Sequence, residues 1–286
     1  MIDQLEIINL PAAYTLLALL ALAIGSLLNV IIYRLPQMLD AEWNKECRSF
    51  LKLAEEPSKT INLFFPRSFC PSCKTTVPAY YNIPILSYFL LRGRCKTCKH
   101  PISKRYPLVE ALSALLALLS AWHFGFNLTF IFALLFIWMI IPLFFIDLEH
   151  QFLPDSLTLG LLWLGLIANT LSLFTPLTDA VLSAAVSYLT LWFFIKLFYL
   201  LRGKVGMGNG DFKLFAAFGA WFGWPQLPLI LLFASLTGAI VGLIYLKVQN
   251  KNKDTPIPFG PFLCLAGLVS LFWGQSIMDW YLNFWL

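Results

Sequence analysis

Long runs of apolar residues, separated by short polar segments, follow one another along this 286-residue chain. A helix needs about 20 mostly apolar residues to cross a bilayer. The runs predict eight helices, and the sixth is short enough that we expect it to be tilted or enclosed by its neighbours. Their ranges are 11–33, 108–124, 128–146, 156–174, 178–200, 211–223, 227–246 and 259–284. This pattern predicts an all-α polytopic membrane protein with about eight transmembrane helices.

Polar residues are concentrated in one segment, 34–107, between the first two predicted helices. We interpret this segment as a loop domain outside the lipid, preceded by a first transmembrane helix (1–33) and followed by a larger membrane domain (108–286). The start, Met1–Glu6, lacks the basic residues of a secretory signal. The first apolar run is also long enough to span the membrane, so we expect this helix to be retained.

The composition supports a membrane protein and argues against nucleic-acid binding. The chain is 59% hydrophobic and only 12% charged, which is unusual for a soluble domain. Its mean hydropathy is +0.75. The net charge of +5 comes mostly from the polar segment, which also contains acids. We therefore expect the lipid bilayer, and no nucleic acid, as a partner.

The distribution of basic residues predicts the orientation of the chain. Thirteen of the 20 Lys and Arg residues lie between Arg34 and Arg105. Since basic loops stay on the cytoplasmic side, this loop is expected to be cytoplasmic and the N-terminus outside. Eight alternating crossings then also place the C-terminus outside and leave the other basic residues inside.

Two aspartates are the main candidates for chemistry. Asp147 opens the stretch Asp-Leu-Glu-His-Gln-Phe-Leu-Pro-Asp (147–155), and Asp211 closes Gly-Met-Gly-Asn-Gly-Asp (206–211). Acids at the edge of lipid are costly and commonly functional. The predicted topology puts both at the cytoplasmic ends of their helices, at one membrane depth.

A pair of close carboxyl groups can share one proton, so that one acts as a base on water while the other protonates a carbonyl oxygen. Glycines before Asp211 (Gly206, Gly208 and Gly210) would let an extended peptide approach closely. Other interpretations are an acid at a helix boundary, a turn with a helix cap, and an ion pathway. Asp155 or Ser156 is interpreted as the cap of the fourth predicted helix, after Pro154.

Four cysteines in the polar segment predict a metal site. Cys70 and Cys73 form one Cys-x-x-Cys pair, and Cys95 and Cys98 form a second pair, separated from the first by 21 residues. This spacing is typical of a tetrahedral four-cysteine zinc site, and a cytoplasmic loop disfavours disulfides. Four thiolates leave no open position, so the predicted zinc is structural; redox cysteines are the alternative.

The motifs together resemble those of a known family, the type IV prepilin leader peptidases. The resemblance covers nearly the whole chain and includes the cysteine pairs and the first aspartate stretch (147–155). Its further motifs are Gly-Ser-Leu-Leu-Asn-Val-Ile-Ile-Tyr-Arg-Leu-Pro (25–36), Arg-Tyr-Pro-Leu-Val-Glu (105–110) and Gly-Asn-Gly-Asp-Phe-Lys (208–213). Each motif alone is modest, but the five in order are specific.

The resemblance implies a GxGD-type aspartic endopeptidase of the bacterial inner membrane, with Asp147 and Asp211 as its catalytic pair and periplasmic termini. Such enzymes remove the leader from type IV prepilins and type II secretion pseudopilins. Many then methylate the new N-terminal residue, usually Phe, with S-adenosylmethionine as donor. Topology agrees, because the leader stays in the cytoplasm.

No residue is assigned to the methyl donor, because no Gly-x-Gly-x-x-Gly follows a strand. Asn29, Arg34 and Glu110 match family motif positions without an assigned role. Arg34 is equally interpreted as an interfacial anchor, and Glu110 as a partner of a basic loop residue. The alternative functions are an ion-coupled transporter and a non-catalytic assembly factor for secretion.

Overall fold

The computed structural model describes residues 10–54, 61–203, 207–249 and 257–285. These residues form helices, turns and loops, and the described part contains no strand. Short 3₁₀ turns occupy Ala79–Asn82 and Trp224–Gln226. The α-helices are α1 (Leu10–Phe50), α2 (Leu86–Leu90), α3 (Arg105–Phe124), α4 (Leu128–His150), α5 (Asp155–Thr170), α6 (Leu177–Arg202), α7 (Asn209–Phe222), α8 (Leu227–Val248) and α9 (Gly260–Trp285). The predicted all-α class is confirmed.

Each of the eight predicted segments is a helix, and six of the helices in the described ranges are long and apolar enough to cross a membrane. The two shorter ones are α5, with 16 residues, and α7, with 14. At 1.5 Å per residue these helices are about 24 and 21 Å long, less than the roughly 30 Å hydrocarbon core. The chain is therefore an integral membrane protein, and its described residues contain six candidate membrane spans and two shorter apolar helices.

The first helix is longer than predicted. We expected it to end at residue 33, but α1 continues to Phe50 with Pro36 inside it. Proline removes one backbone hydrogen bond, yet the residues after it are mostly good helix formers without glycine. The apolar part of α1 thus continues directly into a polar helical extension.

Contacts divide the chain into two compact units, Met1–Trp122 and His123–Leu286. The first unit contains α1, α2 and nearly all of α3, and the second contains α4 to α9. The division lies between α3 and α4, whereas the boundaries inferred from the sequence follow the polar segment.

Helix α7 lies at the centre of the second unit and packs against both α5 and α6. Its residues from Asp211 to Phe222 are buried except for Lys213, which is half-buried. Glycines permit this packing: a Cβ at Gly219 would lie 2.7 Å from the Ser183 backbone of α6. The expectation that the short helix is enclosed by its neighbours is confirmed.

One asparagine fixes the far end of α7. The Asn169 side chain donates to the carbonyl oxygens of Ala220 (2.7 Å) and Trp221 (3.1 Å). These are among the last carbonyls of a helix, which have no partner within it. The fixed C-terminal end supports the opposite end of α7, where Asp211 lies.

Candidate active site and metal centre

Asp147 lies in the last turn of α4. Gln151 ends this helix in a left-handed conformation, and its N–H donates to the Asp147 carbonyl oxygen over 2.9 Å. The Asp147 side chain is only 5% exposed. A carboxylate in the last turn is disfavoured by the negative end of the helix dipole. Stability of α4 therefore does not explain this acid.

Asp211 is the third residue of α7, after the N-cap Gly208. Its backbone N–H donates to the Gly208 carbonyl, and its carboxylate accepts from the Gly208 N–H. This bond is half of a capping box, which holds the Asp211 side chain at the start of the helix. The side chain is 8% exposed. Gly206, the first glycine of the predicted motif, lies outside the described residues.

The structure brings the two aspartates together. Their carboxylates interact electrostatically with each other, and both interact with the buried Cys264 of α9. Asp147 Oδ2 and Asp211 Oδ1 are buried and have no hydrogen-bond partner among the described residues. A buried polar atom without a partner is costly, so these two oxygens mark a place where water or substrate can bind.

Gly260 and Leu153, which the sequence did not single out, lie close to the two aspartates. Gly260, the first residue of α9, donates its N–H to the Asp147 carboxylate. A Cβ at Gly260 would lie 2.6 Å from Asp147 Oδ2 and 3.1 Å from Leu153 Cδ1. A Cβ at Gly210 would lie 2.8 Å from Leu153 Cβ. Leu153 therefore contacts the surroundings of both aspartates, and neither glycine can gain a side chain without displacing a neighbour.

A signal for Gly260 is present in the sequence. The residue stands between two prolines in Pro-Phe-Gly-Pro (258–261), where the second proline favours the first turn of a helix. Cys264 gave no such signal, because an isolated cysteine in an apolar run resembles ordinary core.

An ion pair links the N-terminal ends of α5 and α7. Lys213 Nζ lies 2.6 Å from both carboxylate oxygens of Asp155. The fourth predicted helix is α5, and the prediction that Asp155 caps it is wrong. Helix α5 begins at Asp155, and its N-cap is Pro154, which provides no side-chain cap. The pair is partly exposed, and such pairs contribute about 0–1 kcal/mol.

The four predicted metal ligands form a cluster. The Sγ atoms of Cys70, Cys73, Cys95 and Cys98 all lie within 4.8 Å of one another. The Cys70–Cys98 and Cys73–Cys95 sulfur distances are 3.8 and 4.0 Å. Zn–S bonds of about 2.3 Å in a tetrahedron place sulfurs about 3.8 Å apart. The geometry and the ligand chemistry therefore fit a four-thiolate zinc site.

The two cysteine pairs are held by matching turns. Cys70 N–H donates to Thr75 O, and Cys95 N–H donates to His100 O. The residue after each pair, Lys74 or Lys99, donates its N–H to the first cysteine's carbonyl and has a φ of 59°. The repeated Cys-x-x-Cys-Lys sequence thus forms the same knuckle twice.

Hydrogen bonds in the knuckles favour the thiolate form of Cys73 and Cys95. The bond from the His100 backbone lowers the pKa of Cys98, but desolvation and hydrogen bonds with the other cysteines outweigh it and raise this pKa to about 11. Hydrogen bonds from the Thr75 hydroxyl and backbone N–H lower the pKa of Cys73 to about 6. Backbone N–H groups of Cys98 and Thr97 lower the pKa of Cys95. Since the thiolate is the metal-binding form, these bonds prepare the site for a cation.

Three family-motif positions have structural contacts within the first unit. Asn29 Nδ2 donates to Tyr106 O over 3.0 Å. Glu110 Oε2 accepts the Ile85 N–H over 2.7 Å, and none of the described basic residues pairs with it. Arg34 is buried and donates to loop carbonyls, so it is not an interfacial anchor that extends to lipid headgroups.

Two family models match separate parts of the chain. Residues 19–124 match the Bacterial Peptidase A24 N-terminal domain, and residues 133–243 match the Type IV leader peptidase family. No solved structure matches.

Several similar proteins bear the name prepilin leader peptidase/N-methyltransferase. The chain is 59% identical to the one from Legionella pneumophila over 98% of both chains. It is 50% identical to the one from Pseudomonas aeruginosa, over 96% of this chain and 95% of that protein, and 43% identical to the one from Neisseria gonorrhoeae, over 96% of both. The chain therefore belongs to the type IV leader peptidase family, whose enzymes combine protease and N-methyltransferase activities.

Proposed function

We propose that this enzyme cleaves the leader from type IV prepilins and type II secretion pseudopilins, with Asp147 and Asp211 as its catalytic pair, and then methylates the new N-terminus. One observation carries the proposal. Two buried carboxylates, from opposite ends of two helices, interact electrostatically, and each keeps one oxygen without a hydrogen-bond partner among the described residues.

The pair suits peptide hydrolysis. One carboxylate takes a proton from a bound water, and the water oxygen forms a bond to the scissile carbonyl carbon. The other carboxyl group gives its proton to the carbonyl oxygen. When the C–N bond of the tetrahedral intermediate breaks, the first group returns its proton to the leaving amine. Because both carboxyl groups are buried, ionising both at once is costly, and the pair therefore holds one shared proton.

Membrane topology places this reaction at the cytoplasmic face in our proposal. Asp147 at the end of α4 and Asp211 at the start of α7 share one end of the second unit with Lys213 and Lys247. The positive-inside rule assigns that end, and the cysteine segment, to the cytoplasm and both termini to the periplasm. If the short helices α5 and α7 also cross the membrane, the chain crosses it eight times.

We assign three functional segments to the chain. Residues 1–33 anchor it, 34–107 form the zinc-binding cytoplasmic domain of the methyltransferase part, and 108–286 form the peptidase domain. S-adenosylmethionine would supply an activated methyl group, and this chain's residues would hold the donor and orient the amine. The four thiolates would hold zinc to shape the loop, because a closed tetrahedral shell leaves no position for substrate.

Replacing one metal ligand is expected to remove the metal and unfold the knuckles. Structural zinc contributes about 10–16 kcal/mol of binding free energy to such small domains. Cys70→Ser should therefore lower the zinc content from about one per chain to near zero, as measured by inductively coupled plasma mass spectrometry. Limited proteolysis should then cut within 61–104, a region that zinc protects in the unmodified protein.

Cys47→Ser is the matched control, because Cys47 is exposed on α1 and is not part of the cluster. It should retain zinc and resist proteolysis. Full zinc content in Cys70→Ser would contradict the assignment. Leader cleavage that persists while methylation fails would place the loop in the second activity.

The proposed function is tested with purified enzyme in lipid nanodiscs, a synthetic prepilin and donor carrying a labelled methyl group. We expect leader release followed by label on the new N-terminal residue, both resolved by mass spectrometry. An ion-coupled transporter would instead move protons in proteoliposomes and leave the peptide intact. An assembly factor would neither move protons nor cleave the peptide.

A further inference from the structure

The strongest unexplained feature outside the dyad is Arg34, a cation buried near the polar segment. Its side chain is only 6% exposed. Nη1 donates to the carbonyl oxygens of Asn62 (2.8 Å) and Leu63 (3.3 Å), and Nη2 donates to Pro66 O over 2.5 Å. The guanidinium thus holds one loop against α1.

Among the residues that the structure describes, these contacts leave the charge of Arg34 without a counter-ion. A guanidinium has five N–H donors, and three are engaged by neutral carbonyls. No acid forms an ion pair with it within the described ranges. Burying a cation without an opposite charge is expensive, and removing one partner of a buried pair typically costs about 3–5 kcal/mol. The site is therefore electrostatically incomplete.

Arg34 borders a cavity of about 240 Å³, and a second cation, Arg67, lines the same space. Ser68 and Asn82 add a hydroxyl and an amide, while Val30 and Val77 provide apolar walls. Two arginines without an acid among the lining residues favour an anion, and an arginine fork matches a carboxylate in particular. The neighbouring amide can accept from an ammonium group.

We propose that this cavity binds the α-amino carboxylate end of the methyl donor, with Arg34 and Arg67 holding the carboxylate. The inference rests on the methyltransferase half of the proposed function, which requires a donor site. At about 240 Å³ the cavity is smaller than the roughly 300–1,000 Å³ of sites for whole drug-sized ligands. It therefore takes the amino-acid end and leaves the nucleoside outside.

The test compares two nucleosides by calorimetry on the full-length enzyme in nanodiscs of neutral lipid. S-adenosylhomocysteine carries the amino-acid end, and 5′-methylthioadenosine lacks it. Arg67→Ala should weaken binding of the first about tenfold or more, because a hydrogen-bonded carboxylate loses its charged partner. Binding of the second should not change.

Arg34→Lys keeps the charge but loses the fork, and should give the same selective loss. Since Arg34 also holds loop carbonyls, zinc content and thermal stability are measured alongside. Arg67 makes no such bond to any residue that the structure describes, so its variant decides the question if Arg34→Lys unfolds. Lys104→Ala removes a positive charge from the same segment without lining the cavity, and should bind both nucleosides like the unmodified enzyme.

Unchanged S-adenosylhomocysteine affinity in Arg67→Ala, or an equal loss for both nucleosides, would overturn the inference. Weaker retention of co-purified anionic phospholipid by Arg67→Ala, measured by mass spectrometry before reconstitution, with unchanged nucleoside affinity, would do the same, because the cavity would then be a phosphate site. If the unmodified enzyme neither binds S-adenosylhomocysteine nor transfers methyl groups, the proposed methyltransferase function itself fails.

Discussion

Leader cleavage is expected to fall by roughly 10²–10⁴-fold or more when either Asp147 or Asp211 is changed to Asn, since general acid–base groups contribute about this much. Asparagine has nearly the same shape as aspartate, so packing around these buried residues is preserved. It cannot take a proton from water or give one to a carbonyl at neutral pH. The measurement is the rate of leader release from a synthetic prepilin in nanodiscs.

Asp279→Asn is the matched control, because Asp279 is exposed on α9 and bonded to Gln275. It makes the same chemical change without approaching the pair, and should cleave at the normal rate. Correct membrane insertion and zinc content in all three variants show that folding is intact.

The double variant separates a pair from two independent groups. If Asp147 and Asp211 act as one unit, Asp147→Asn with Asp211→Asn should be no slower than the worse single variant, because effects within one catalytic unit are not additive. Normal cleavage by either single variant would contradict the catalytic assignment. The transporter would be favoured if the unmodified protein moved protons without cleaving any peptide and the Asn variants lost this proton flux.

Methylation of a peptide that already lacks its leader should continue in both Asn variants. The contacts proposed for the donor lie in the first compact unit, whereas both aspartates lie in the second. Loss of methylation on this peptide would mean that the aspartates serve both reactions.

The sequence predicted the helices because membrane spans depend on a local property, the length of an apolar run. The ends of the helices were harder to predict. Helix α1 continues past Pro36 because the polar residues after it favour a helix even outside lipid. The depth of Asp147 and Asp211 also followed from charge counting. Their proximity did not, since lateral packing depends on which helices neighbour α7.

The residues of the site also fall into two groups, those that local sequence predicts and those that depend on distant contacts. The four cysteines were predicted because ligand spacing within each pair is local. Gly260 was missed because its role comes from a contact with Asp147, more than 100 positions earlier in the chain. Asp155 was assigned to a cap from its position before an apolar run, whereas its charge pairs with Lys213 on another helix. Long-range partners of this kind leave no periodic signal.

Gly260→Ala is expected to lower leader cleavage about 10²-fold with little change in thermal stability. The added Cβ would lie 2.6 Å from Asp147 Oδ2, so the carboxylate must rotate away from its present position. A side-chain end can move at small energetic cost, but a displacement of about 1 Å at the reacting groups can cost about 10²-fold in rate. The variant thus tests whether cleavage depends on the position of the Asp147 carboxylate, because the carboxylate itself is still present. Leader release and the melting temperature are measured together.

Gly160→Ala is the control because it creates a similar overlap with a different neighbour. Its Cβ would lie 2.9 Å from Met139 Cε, the flexible end of a methionine that has no part in the proposed chemistry. This variant should keep both normal stability and normal cleavage. Cleavage at the normal rate by Gly260→Ala would show that Asp147 does not need the contact. A large drop in melting temperature would assign Gly260 to packing of α9, because an acid that rotates freely would leave the fold intact.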